Sequence, residues 1–224
     1  MSRKDTFIWI LAAACLLSLF LFMGETHFNT RGEPREAVVA LSMLKDGNWI
    51  LPVNNGIDLA YKPPLFHWLI AAISTLTGEV TEYTSRMPSA LALTFLILAG
   101  FSFYARRRDS ETAFLMGLLT LTNFEVHRAG VNCRVDMLLA ALMVLALYAL
   151  YGWGERGLKG VPWGAVLCLS GAFLTKGPVG AVLPCIAFAV FLLLRGHRFW
   201  PLFFRLFGIG LLSCLLPLVW YVAA

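Results

Sequence analysis

Ionisable side chains of both signs recur in three stretches of an otherwise apolar chain. The first holds Glu33, Arg35 and Glu36, followed by Lys62 ahead of Pro63-Pro64. The second holds Glu125, His127, Arg128, Arg134 and Asp136, and the third is Lys176, set against Gly177-Pro178. Charged groups at the edge of hydrocarbon are costly and mark function by default. The chemistry open to this set is group transfer with an anionic leaving group. A carboxylate within reach of a hydroxyl nucleophile takes its proton. Arginine and lysine offset the charge of the departing anion, the first as a planar fork and the second as a point charge. Glu33 and Asp136 are the candidate carboxylates. Arg35, Lys62, Arg128, Arg134 and Lys176 are the candidate anion partners, with Glu36 and His127 in reserve.

These groups must be held by a membrane protein. Of 224 residues, 59% are apolar and 14% charged, and the mean hydropathy is +0.74. Soluble domains are nearer a quarter charged. The composition excludes a water-soluble globule, a nucleic-acid binder and a disordered tail. Five scattered cysteines, four in apolar runs, exclude a disulfide framework. No residues fall at metal-ligand spacing, so no obligatory metal is expected. A divalent cation on a single outer-loop carboxylate is the remaining option, and a chelator tests it.

A membrane span takes about 20 apolar residues, which allows about seven spans. Phe7 to Met23, preceded by Arg3 and Lys4, reads as an uncleaved first span with a cytoplasmic N-terminus. Residues 24–85 form a polar outer loop with two short helices. One starts at Pro34, carries Ala37, Leu41 and Leu44 at helical spacing, and stops at Asp46-Gly47-Asn48. The other runs from Pro64 to about Thr77 along the interface, with Trp49, Tyr61, His67 and Trp68 at the membrane–water boundary. Further spans are expected at about 86–104, 110–126, 136–153, 162–175, 179–194 and 205–223. Arg106–Arg108, Arg156 with Lys159, and Arg195, Arg198 and Arg205 then face the cytoplasm, as the positive-inside rule requires. The three chemistry-bearing stretches then share the outer face.

Several blocks together resemble one family. They are Gly32-Glu33-Pro34-Arg35-Glu36-Ala37; Met43-Leu44 with Gly47, Trp49-Ile50 and Pro52; and Tyr61-Lys62-Pro63-Pro64-Leu65-Phe66-His67-Trp68. Arg86-Met87-Pro88-Ser89-Ala90, Arg134-Val135-Asp136-Met137 and Thr175-Lys176-Gly177-Pro178 follow in the same order. The chain resembles the polyprenyl-phosphate-sugar-dependent glycosyltransferases of the protein mannosyltransferase and aminoarabinose (lipid A) transferase type, over the stretch from about Asn29 to Pro184. The resemblance implies a GT-C fold with interfacial helices in the first outer loop, and a sugar moved from a polyprenyl-phosphate donor to a glycolipid or protein hydroxyl. It also implies a longer protein with a C-terminal soluble domain. The family places Asp-Glu before Pro-Arg, and the Asp is its presumed base. That Asp is Gly32 here, while Glu33 matches the neighbouring Glu and Asp136 the second acidic position. Glu33 is therefore the expected base.

Each residue has a plainer reading. Glu33 and Asp136 complement helix N-termini, Lys62 and Lys176 snorkel to the interface, and Arg128 and Arg134 pair with Glu125 and Asp136. His127 is structural in that reading, and Arg106–Arg108 serve topology alone. The expectation is an all-α membrane protein, a GT-C-type multi-span helical bundle, with residues 1–224 as its N-terminal transmembrane part. It is placed in the inner membrane among lipids, with its active face periplasmic, and is inactive as an isolated 224-residue chain. No nucleic acid and no cofactor are expected. The rival functions are a lipid-linked-sugar transporter or flippase and a non-catalytic subunit or pseudoenzyme.

Overall fold

The computed structural model describes residues 3–56, 58–60 and 62–224. Tyr61, placed at the interface above, lies outside the described residues. Ten helices and one two-stranded hairpin are present among them. The residues divide into two compact units, 1–60 with 66–141, and 61–65 with 142–224.

In the first unit, α1 (Arg3–Cys15) runs into a π-helical segment, Leu16–Phe20. α2 spans Gly32–Asp46 and closes on Gly47 in the left-handed region at φ 66°, a conformation that glycine adopts without a Cβ clash. It begins two residues before Pro34, where the sequence placed its start. β1 (Val53–Asn54) and β2 (Asp58–Leu59) pair antiparallel, Val53 against Leu59. α3 spans Leu65–Thr77 and buries Phe66, His67, Ile70, Ala71 and Ser74 along one face. α4 (Glu82–Ala105) starts with a capping box between Thr81 and Thr84. α1, α4 and α5 (Ser110–Thr122) pack together around Leu11, Ile97 and Gly117, and the Phe7 and Phe114 rings stack at 4.6 Å.

The expected span over 110–126 is broken. α5 stops at Thr122, Asn123 turns extended, and α6 (Phe124–Gly130) restarts with the Asn123 side chain accepting from the Val126 N–H at 3.2 Å. An asparagine satisfies the orphan donors of a new helix better than it continues an old one. Glu125, His127 and Arg128 thus ride on a separate short helix.

α7 (Val135–Glu155) begins in the first unit. The second unit holds the rest of it with α8 (Trp163–Lys176), α9 (Val179–Leu194) and α10 (Phe199–Ala223). Its core is apolar: Leu150, Trp153, Leu169, Phe188, Leu192, Leu202 and Ile209. Ser170 donates to the Ser213 carbonyl at 2.8 Å, joining α8 to α10. Where α8 and α9 meet, a Cβ on Gly180 would stand 2.5 Å from the Ala172 carbonyl oxygen. Small residues let helices approach this closely in membranes. Gly180→Ala must move backbone, so it is expected to cost about 1–3 kcal/mol, read as a lowered unfolding temperature in detergent.

Three helices are long and apolar enough to cross a membrane: α4, α7 and α10. α3, α8 and α9 are shorter apolar helices, and α5 has 13 residues. The expected seven spans therefore reduce to three of full length among the described residues. The protein is an all-α, multi-span membrane protein.

Candidate active site

Three stretches far apart in sequence meet at Glu33. The residue sits in the first turn of α2 and is fully buried. Its Oε1 accepts from Arg86 Nε at 3.0 Å and from the Cys133 backbone N–H at 3.0 Å, and its Oε2 accepts from the Asn29 N–H at 2.8 Å. Arg86, on α4, is 1% exposed. Its Nη1 donates to the carbonyls of Met23 and Thr26 and to the Thr26 hydroxyl, and Nη2 donates to the His27 carbonyl. Its guanidinium also lies 5.5 Å from the Phe28 ring centroid. One arginine thus gathers the end of the first helix, the 23–28 loop and α2.

Burial alone would raise the Glu33 pKa. The Cys133 N–H, the Arg86 guanidinium and the Asn29 N–H outweigh it and hold the carboxyl below its ordinary value. A carboxyl depressed by folding stabilises the fold above its unfolded pKa, and that stability is lost as pH falls through the folded value. Thermal unfolding is expected to be flat from pH 8 to pH 5 and to drop below about pH 4.3, the ordinary glutamate value. Glu33→Gln should flatten that acid limb.

Beside this knot, Gly32 faces Arg134: a Cβ there would lie 3.2 Å from Nη1. The Arg134 carbonyl accepts from Ser89 Oγ at 3.1 Å, which ties the α6–α7 connection to α4. Arg134 Nε stands 3.4 Å from Asp136 Oδ2, with the two side chains 43% and 44% exposed. Glu36 is buried on α2, with His67 Nε2 2.7 Å from Oε2 and Arg35 Nη2 3.4 Å from Oε1. His67, read from the sequence as interfacial, is 1% exposed. Its partner lies 31 residues away, so no local pattern announces the pair.

Glu33, Arg35, Glu36, Arg128, Arg134 and Asp136 all belong to the first unit. Arg128 is engaged on its own helix by Glu125, through Nη2 at 2.6 Å and Nε at 3.2 Å. His127 Nδ1 stands 3.2 Å from the Leu121 carbonyl oxygen. Lys62, just before Pro63, and Lys176, the last residue of α8, belong to the second unit. Among the described residues no cluster of three His, Cys, Asp or Glu could hold a metal ion. Sequence reasoning missed Arg86 as a site residue. The available signal was an arginine at the head of the apolar run that becomes α4.

The structure superposes on ArnT from Cupriavidus metallidurans, in the apo state and bound to undecaprenyl phosphate. For each the TM-score is 0.84 at 23% identity, covering 99% of this chain and 42% of the other. At that identity the likeness establishes the fold. An undecaprenyl phosphate-alpha-4-amino-4-deoxy-L-arabinose arabinosyl transferase of Pseudomonas savastanoi pv. phaseolicola is 29% identical over 183 residues, 79% of this chain and 34% of the relative. A similarly named protein of Proteus mirabilis is 26% identical over 198 residues, 84% of this chain and 35% of that one. The chain spans about a third of the length of the curated relatives it matches. The family model for dolichyl-phosphate-mannose-protein mannosyltransferases matches residues 61–221. That match covers most of α3 to α10, with Arg86, Asp136 and Lys176 on those helices and Arg134 just before α7, and the chain belongs to this family.

Proposed function

We propose that this chain is the membrane part of a glycosyltransferase that moves a sugar from a polyprenyl-phosphate donor to a hydroxyl on a glycolipid, such as lipid A, or on a protein. The observation that supports it most is the meeting of the outer-loop helix α2 with α4 and the 131–134 connection, inside a fold shared with this family. In the reaction the acceptor oxygen bonds to the anomeric carbon, the bond from that carbon to the phosphate oxygen breaks, and the hydroxyl proton goes to a base. The phosphate leaves as an anion, so cations must stand beside it.

The geometry redistributes the expected roles. Glu33 has no exposed surface and both oxygens are engaged, so in this reading it holds the site together. Asp136, about half exposed, takes the base role. Arg35 and Arg134, both partly exposed, bind the donor phosphate, with Arg128 contributing further positive charge. The active face is periplasmic in this reading. The test is transfer by the purified full-length protein, not the isolated 224-residue chain, from undecaprenyl phosphate-α-4-amino-4-deoxy-L-arabinose, the donor named for the relatives, to lipid A. A null result with this donor and with a mannosyl donor and peptide acceptor would overturn it.

One observation favours a second reading, a non-catalytic subunit: Gly32 carries no carboxylate and Glu33 is buried. Gly32→Asp separates the two. In the transferase reading the native protein is active. The new carboxylate beside Arg134 then weakens donor binding about two- to fivefold, the scale of an exposed ion pair. In the subunit reading the native protein is inert and Gly32→Asp gains transfer.

A further inference from the structure

We propose that His67 is a positioning residue of the donor-phosphate subsite, acting through Glu36 on the guanidinium of Arg35. The inference rests on the donor reading of Arg35 given above. Its basis is a buried relay: His67 Nε2 lies 2.7 Å from Glu36 Oε2, both side chains at most 3% exposed, and Glu36 Oε1 lies 3.4 Å from Arg35 Nη2.

The direction of the His67–Glu36 bond follows from the ring's far side. His67 Nδ1 is buried with no hydrogen-bond partner. A proton there would be a buried donor with nothing to accept it, which costs about 1–3 kcal/mol. The tautomer with its proton on Nε2 leaves Nδ1 bare and donates to Glu36. Glu36 is held still by this short bond and turns its other oxygen to Arg35.

Arg35 differs from Arg86, the carboxylate-bound cation of α4. Arg86 is buried and spends its nitrogens on Glu33, three carbonyls and a hydroxyl. The Arg35 side chain is 43% exposed, and its contact to Glu36 exceeds the 2.7–3.2 Å of a firm N–H···O bond. Arg35 is steered rather than consumed, so its fork stays open to a bidentate oxyanion such as a phosphate.

The relay is also not what docks α3. Trp68 Nε1 donates to the Trp49 carbonyl at 2.7 Å, and Ser74 Oγ donates to Thr84 Oγ1 at 3.0 Å, tying the helix to the outer loop and to α4. Loss of the relay should leave α3 in place and loosen Arg35.

The test measures binding of undecaprenyl phosphate to the detergent-purified protein, with KM and kcat in the transfer assay. His67→Leu is expected to weaken binding and raise the donor KM about tenfold, the worth of a charge-assisted hydrogen bond. Its kcat should stay within about threefold, because the chemical step is untouched. His67→Gln, which can still donate to Glu36, should stay within about threefold of native in both. In an Arg35→Gln background His67→Leu should add nothing further, since the cycle isolates the pair. Full additivity, or a His67→Gln defect as large as that of His67→Leu, overturns the proposal in favour of plain packing. If His67→Leu does not fold, Glu36→Gln of equal volume replaces it, and unchanged donor binding there overturns the proposal too. Native protein that ignores undecaprenyl phosphate sinks the donor reading itself; native binding with unaffected variants sinks only the role of His67.

Discussion

Arg86→Leu is expected to lower the unfolding temperature of the detergent-solubilised protein by about 10 °C or to abolish folded yield, the largest stability effect of any single change around Glu33. Leucine fills much of the volume but supplies no donor. Glu33 then keeps a buried charge supported only by two backbone N–H groups. The carbonyls of Met23, Thr26 and His27 lose the donor that holds them. Breaking one side of a buried pair costs about 3–5 kcal/mol. For a chain of this size each kcal/mol moves the midpoint by about 2–4 °C. Size-exclusion profiles and thermal unfolding of the purified variant read the effect. Arg86→Lys should fall in between, since an ammonium has three donors and no fork. The double variant Arg86→Leu with Glu33→Leu should recover part of the loss, because no lone charge is left behind. A midpoint for Arg86→Leu within about 2 °C of native would mean that the knot at Glu33 is ornamental.

That knot shows where sequence reasoning reached and where it stopped. The ends of α2 and α3 could be read locally. Gly47 is a left-handed stop, and the apolar run after Pro64 has no other place to go. The membrane class could be read from hydropathy alone. The broken helix at Asn123 was hidden because the surrounding residues are apolar, and a hydropathy window averages over a capping residue. Arg86 and His67 were hidden for a different reason: their partners lie 53 and 31 residues away. A charge that looks intolerable in an apolar run becomes tolerable only once a distant carboxylate is known to face it. Glu33 shows the converse. Its type and neighbourhood suited a base, yet what decides between base and brace is burial, and burial of a single side chain is a tertiary property.

The same distinction makes the final expectation sharp. Asp136→Asn should reduce kcat for sugar transfer by about 10² to 10⁴, the usual worth of a positioned general base, with the donor KM changed by no more than a few-fold. Asparagine keeps the shape at the start of α7 and removes the group that accepts the proton. The side chain is 44% exposed, so the unfolding temperature should barely move, unlike that of Arg86→Leu. Arg134 stands 3.4 Å away through Nε, and a general base accepts a proton only as its carboxylate. The acid limb of the pH–rate profile should accordingly vanish in the variant. Glu33→Gln should behave the opposite way, losing stability in proportion to any loss of rate. Should Asp136→Asn retain transfer within about tenfold of native, the proton must go elsewhere. Glu36 would then be the remaining carboxylate, but its buried contact with His67 leaves it poorly placed to meet a hydroxyl. An exposed acid beside an exposed guanidinium can meet both a hydroxyl and a phosphate, and Asp136 with Arg134, next to Gly32 and the Glu33 knot, is such a pair.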